Sequence, residues 1–439
     1  MTKVHMSRSG ADFGVWWSSR GKSRANNKRL SKLKTNGIST QVTESIQVNS
    51  DGAGLERVRL AYIDTLRGVA ALAVLYCHFL AYWLDSVRVS GANLMAVVTR
   101  VATLGSHGVD LFIVLSGFCL FFPIVRKSRD NAGITPIAFY RRRARRLLPA
   151  YYVALTIAFL LAISPLHTLI VAKPASFTDF LAYVFLVQTW STKTMGAING
   201  SLWSIALEAQ LYLVFPLLLL IWRKKGLLPV VITGVLTGIF WQLFSSWSQT
   251  HHLLGIRGDI LFSAFPARWI EFIAGMVAAH YVCHPSVKSA RIGLVLFLVG
   301  IPAAVFTVVA HLSATFISAV AWGIPFAGLI VCLSHLPDTL FSAKKPLRFI
   351  TGIGIVSYSL YLLHQPMLLL LAPFIKSLKL SIPLNFLIFT VIIIPLFYLI
   401  AIGFFNLFEK PFLNATKAVK SGKSLSVSSA ASIQDHAAP

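Results

Sequence analysis

Residues 62–84 read YIDTLRGVAALAVLYCHFLAYWL, a run long enough to cross a lipid bilayer, with Asp64, Arg67 and His78 set inside it. About 20 apolar residues in a helix match the hydrocarbon thickness. Helix is the form such a run takes, because lipid offers no partner to an unpaired backbone N–H or C=O. The pattern recurs at 104–125, 148–171, 203–222, 227–247, 265–283, 292–310, 312–334, 349–373 and 384–408. A further run, 177–190, is short for a span and is read as dipping into the membrane or lying at its surface. The expected fold is an all-α polytopic membrane protein, a bundle of about ten transmembrane helices.

Composition agrees. Of 439 residues, 56% are hydrophobic and 13% charged, and the mean hydropathy is +0.71. Too little polar surface remains to cover a soluble enzyme. The charges are mostly cationic, 40 Lys and Arg against 15 Asp and Glu, for a formal net charge of +25. Such an excess suits nucleic acid or an anionic membrane face, and the long apolar runs decide for lipid. Cys77, Cys119, Cys283 and Cys332 lie in or beside apolar runs without C-x-x-C spacing. They read as small buried hydrophobes, and neither a disulfide framework nor a metal site is expected.

Residues 1–59 are basic and rich in Ser and Asn, with no apolar run after them. They read as a disordered cytoplasmic tail, with an organelle transit peptide as the rival. Residues 413–439 form a second polar cytoplasmic tail, leaving 60–412 as the membrane domain. Basic residues orient the spans. They fall at Arg126–Arg146, Arg223–Lys225, Lys288 and Arg291, and Lys344–Arg348. With the N-terminal tail inside and 177–190 not spanning, all of these loops and both termini are cytoplasmic. An inner or plasma membrane is the expected location.

Ionisable side chains at bilayer depth are expensive, so each is a functional candidate. His78 follows Arg67 by eleven positions, close to three turns and ~16 Å along one helix face. An Arg at a membrane edge can be a snorkelling anchor and a lone His a satisfied helix contact; on one stripe, the pair points to function. Asp110 enters its span from the other side and can reach the depth of His78, where a carboxylate would hold an imidazole as general base. The alternative is an Asp that caps its own helix. Five arginines, Arg141, Arg142, Arg143, Arg145 and Arg146, head the third span. They serve equally as a positive-inside anchor and as a binding site for an anionic co-substrate. Trp203 suits a membrane interface, and Glu208 lies roughly two turns inside from it. The ninth span carries Ser357, Tyr358, Ser359 and His364 in an apolar helix, while His251, His252 and His311 read as ordinary loop-edge residues.

Six stretches in order, LRGVAALAVLYCHF (66–79), GVDLFIVLSGF (108–118), RRRARRLLPAYY (141–152), LWSIALEAQLYLVFP (202–216), SYSLYLLHQP (357–366) and FEKPF (408–412), resemble the acyltransferase 3 family of membrane acyltransferases. The resemblance covers the whole membrane region. It implies that the family's Arg-x10-His motif falls on Arg67 and His78, with His78 the catalytic base. It places an R-x-x-R motif on Arg143 and Arg146, although Arg142 and Arg145 share the spacing. The aspartate motif falls on Asp110, the W-S-x-x-x-E motif on Trp203, Ser204 and Glu208, and the last on Ser357, Tyr358, Ser359 and His364. Some relatives add a C-terminal hydrolase-like domain; here the chain ends about 30 residues after its last span. Transfer is therefore expected within the membrane domain.

The expected activity is transfer of an acyl group, acetyl by resemblance, from a cytoplasmic coenzyme A thioester to an acceptor hydroxyl. Arg67, Arg143 and Arg146 would bind the donor, His78 would act as base, and Asp110 or Glu208 would orient it. Trp203, Ser204, Ser357, Tyr358, Ser359 and His364 would support the site. No bound cofactor is expected; acetyl-CoA or another acyl-CoA is a co-substrate. The acceptor could be a carbohydrate, a lipid-linked sugar or a small hydroxylated molecule. A proton-coupled secondary transporter would use similar intramembrane charges, but two related halves with broken helices are not visible.

Overall fold

The computed structural model describes residues 60–83, 94–127, 135–251, 264–312 and 315–413. The expectations for the two tails lie outside these residues. The principal helices are α1 (Ala61–Trp83), α2 (Leu94–Thr103), α3 (Gly108–Val125), α4 (Pro136–Ile163), α5 (Phe177–Val184), α6 (Trp203–Lys225) and α7 (Leu227–Thr250). They continue as α8 (Phe265–Cys283), α9 (Val287–Val309), α10 (Phe316–Leu333), α11 (Lys345–Ile355), α12 (Ser357–Ser377), α13 (Ile382–Ile388) and α14 (Ile394–Phe404). No strand occurs among the described residues. Nine helical segments among them are long and apolar enough to cross a membrane, as a multi-pass membrane protein requires.

The helix starts follow local chemistry. Pro136, Pro266 and Pro346 stand in the first turns of α4, α8 and α11, where no N–H is needed. Ser176 with Asp179, and Ser286 with Ser289, close capping boxes at α5 and α9. Gly226, at φ 88°, makes the sharp turn from α6 into α7 that an L side chain would strain.

Small residues let the inner helices touch backbone to backbone. A Cβ on Gly117 of α3 would collide with the Phe272 carbonyl of α8, and one on Gly275 of α8 with the Val114 carbonyl of α3. Gly68 of α1 and Gly354 of α11 make the same reciprocal approach, to Ile350 and Asp64. The periphery is different. Only 17% of the apolar window is buried in α7 and in α9, against 72% in the segment containing α3. Their exposed Leu236, Phe240, Leu243, Val295, Leu298 and Val299 are the faces lipid would cover.

Several boundaries depart from expectation. The third span does not begin at 148: α4 starts at Pro136, so the arginine run is helical rather than a loop, and α4 ends at Ile163. The ninth span is two helices, α11 and α12, broken at Val356. Residues 177–190 hold the eight-residue α5 and a short 3-10 turn, about 12 Å of helix, which is too short to cross. The sixth expected span is α8, a 19-residue helix. Its Arg268, Glu271 and His280 lower its hydropathy below that of the nine, and it packs against α3, α7 and α10.

Candidate active site

His78, on α1, faces His364, on α12, edge to face at 5.0 Å between ring centroids. His78 Nδ1 lies 2.9 Å from the Val74 carbonyl and His364 Nδ1 2.6 Å from that of Tyr361, one turn back on each helix. A carbonyl only accepts, so each Nδ1 carries the hydrogen. In each neutral ring Nε2 is then the basic nitrogen. His78 is half-buried, and His364 is buried with its Nε2 unpartnered.

A hydroxyl and amide shell surrounds the two rings. Tyr82 lies 5.5 Å from His78, and Tyr361 lies 5.0 Å from His364. Ser204 donates to the Tyr361 hydroxyl at 2.7 Å, and Tyr361 donates to the Ser201 carbonyl at 3.0 Å. Gln365 donates to the Tyr82 hydroxyl at 2.9 Å and accepts from the Ser201 amide. Pro366, which has no N–H, leaves the Leu362 carbonyl without its helical donor. Asn199 takes that place, its Nδ2 donating to Leu362 at 3.5 Å. The turn before α6 is thereby tied to α12.

Arg67 stands eleven residues before His78 on α1, while Arg143 and Arg146 stand on α4. Arg67 contacts Cys119 Sγ at 3.4 Å and Asp64 at 3.6 Å. The Arg143 guanidinium sits 5.7 Å over both the Phe139 and Tyr212 rings, and its Nε is buried without a partner. Glu208 accepts from Ser116 at 3.1 Å and from Tyr212, and lies within electrostatic reach of Arg67 and Arg143. Arg146 is in reach of Arg143 and Glu409. Ser359 donates to Glu409 at 2.7 Å, and Tyr358 donates to the Leu147 carbonyl at 2.9 Å. These two residues bind α12 to the C-terminal segment and to α4; Ser357 is buried beside them. Trp203 stands half-buried at the start of α6.

Asp110 is not at His78. It pairs with Arg268 of α8 and lies 2.5 Å from Nδ1 of His107. Arg268 also reaches Glu271, at 3.1 Å from both Nε and Nη2. His107 stacks on Trp322 of α10 at 3.9 Å. Glu208 is likewise no neighbour of His78; it belongs to the arginine end. Asp110 and Glu208 are the residues expected to orient the His78 imidazole; the group that holds it is the Val74 carbonyl. The reason is axial: α1 and α3 run antiparallel with Gly108 against the Ala70 carbonyl and Thr103 against Cys77, so Asp110 lies near the level of Ala70, eight residues along α1 from His78.

Sequence reasoning missed Arg268 and Glu271, which lie in an otherwise apolar run. Their spacing of three within RWIE was a signal, because oppositely charged residues three apart on a helix can pair. It also missed Gln365, Asn199 and Tyr361, whose contacts span more than 150 residues of sequence. Among the described residues, no group of three or more His, Cys, Asp or Glu could hold a metal.

Two imidazoles within a shell of hydroxyls and amides, with Arg67 eleven residues away along α1, make the candidate site of a membrane helix bundle. The chain belongs to the acyltransferase family whose domain model matches residues 60–405. It is 26% identical over 328 residues to an O-acetyltransferase, OatA, of Staphylococcus aureus, covering 70% of this chain and 50% of that protein. It is 24% identical over 336 residues to the peptidoglycan O-acetyltransferase OatA of Listeria monocytogenes, covering 72% and 50%. The acyltransferase MdmB of Streptomyces mycarofaciens is 28% identical over 241 residues, 51% of this chain and 57% of that one. The chain thus spans about half the length of these curated relatives. No solved structure gives a significant match.

Proposed function

We propose that this protein is an O-acetyltransferase that moves an acetyl group from acetyl-CoA to a hydroxyl of a carbohydrate acceptor in the cell envelope. The observation that carries the reading is the placement of Arg67 and His78 at opposite ends of one face of α1, with the unpartnered Arg143 Nε beside the first. A coenzyme A thioester has the same polarity: phosphates at one end, thioester at the other, a flexible arm between. Arg67, Arg143 and Arg146 bind the phosphates, for which guanidinium forks are suited. His78 Nε2 removes the acceptor's hydroxyl proton as the oxygen attacks the thioester carbonyl. The C–S bond breaks, and the proton passes to the departing thiolate. The names of the Staphylococcus and Listeria relatives support acetyl and a glycan as the transferred group and the acceptor. The arginine end faces the cytoplasm, with both chain termini on that side.

The test is purified protein in detergent, given [14C]acetyl-CoA and an envelope extract, with no ion gradient. Label is expected in the glycan fraction. Absence of transfer, together with gradient-driven uptake in vesicles, would favour a carrier.

A further inference from the structure

His364 Nε2 is a hydrogen-bond acceptor without a donor. The residue is 2% exposed, its Nδ1–H is engaged by the Tyr361 carbonyl, and Nε2 has no partner among the described residues. A buried acceptor left unpaired carries its full desolvation penalty, which a native site tolerates when a ligand supplies the missing group. The ring beside it is His78, whose own Nε2 has no bond to the described residues. The missing donor therefore belongs with the molecule on which His78 acts.

The geometry points to His364 as an acceptor-binding residue, its Nε2 taking a hydrogen bond from a hydroxyl of the acceptor other than the one His78 deprotonates. This rests on the acyl-transfer reading and deepens it. The acceptor is then a polyhydroxylated molecule that sets two hydroxyls against two imidazoles. The surroundings fit such a guest. Tyr82 and Tyr361 offer aromatic surface, and Ser204 and Gln365 offer polar groups held in place by Tyr361, Ser201 and Tyr82. An apolar wall with a few fixed polar groups is the usual composition of a small-ligand site.

Two near-isosteres separate the ring's nitrogens. His364→Asn keeps a donor near the Nδ1 position and removes the acceptor at Nε2. His364→Gln places a carbonyl oxygen near Nε2. Protein reconstituted in liposomes is assayed with [14C]acetyl-CoA while the envelope extract of the producing cells is titrated as acceptor. Wild type is compared first with His78→Ala; no label with wild type overturns the transfer reading itself.

Given transfer by wild type, His364→Asn should raise the half-saturating amount of extract about tenfold, while His364→Gln stays within about threefold of wild type. The KM for acetyl-CoA should not move in either. Wild-type saturation by His364→Asn would mean that Nε2 holds a water or nothing, and overturns the inference. Loss of activity in both variants at an unchanged melting temperature would mean that the ring must titrate, and also overturns it. Loss of the fold in both would make His364 a packing residue, which overturns the inference as well.

Discussion

The carboxylate of Asp110 meets the guanidinium of Arg268 across the contact between α3 and α8, with Glu271 closing on the same guanidinium. Glu271 is 0% exposed, Asp110 4% and Arg268 6%. Two carboxylates and one guanidinium so deeply placed hold each other's charge, and removing the cation leaves two buried anions without it. The same interface is where Gly117 and Gly275 bring the two backbones together. Charge and close packing thus fix one helix pair from both directions.

Arg268→Ala should accordingly destabilise the protein by about 3–5 kcal/mol, seen as a fall in melting temperature in detergent. The triple variant Asp110→Asn, Arg268→Met, Glu271→Gln should recover most of that loss. A triple variant as unstable as the single one would sink the charge-balance account.

Gly275→Leu tests the packing half of the same contact. Its side chain would have to displace the Val114 carbonyl, and overpacking of this kind typically costs about 1–3 kcal/mol. The readout is again the melting temperature, with Gly403→Leu as control, since no atom lies near a Cβ built there.

His78→Ala should lower acetyl transfer by about 10²–10⁴-fold while leaving expression and melting temperature near wild type. The ring makes one hydrogen bond, to its own helix, so its removal costs little structure. Near-normal turnover would remove His78 from the role of base.

Arg143→Lys keeps the charge and loses the planar fork and its seat over Phe139 and Tyr212. The KM for acetyl-CoA should rise about tenfold, with acceptor saturation changed far less. Unchanged donor kinetics would assign Arg143 to helix anchoring alone.

Orientation can be read by cysteine labelling in intact cells. Lys224, in the basic end of α6, should resist a membrane-impermeant reagent as Lys224→Cys, and Lys193→Cys, in the loop after α5, should react. The reverse pattern would exchange the two sides of the proposed mechanism.

The sequence carried the fold class because helical spans announce themselves by length and apolarity, as in α1, α3 and α10. It carried the common face of Arg67 and His78 on α1 because eleven residues return to one side of a helix. It could not carry the partner of Asp110, since neither the register of one helix against another nor the rotation about its axis is legible from a single span. The role of Arg268 is therefore visible only where α8 packs against α3. The start of α4 was missed for another reason. Arginine is a good helix former, and hydropathy is blind to helical turns that stand in water. The break at Val356 has no proline at the site to mark it; it shows only in the turn that ends α11.

The bond from Asn199 to the Leu362 carbonyl closes a sequence separation of 163 residues with a single amide. Its consequence concerns the order of assembly. Beyond His364, α12 cannot complete its own backbone ladder, because Pro366 has no hydrogen to return. The missing rung is supplied by a turn made long before α12 in the chain. The half of the pocket on α12 therefore reaches its final register only once the start of α6 is seated beside it. A membrane enzyme built this way leaves the α12 side of its hydroxyl and imidazole cluster unfinished until the late part of its chain has met the middle.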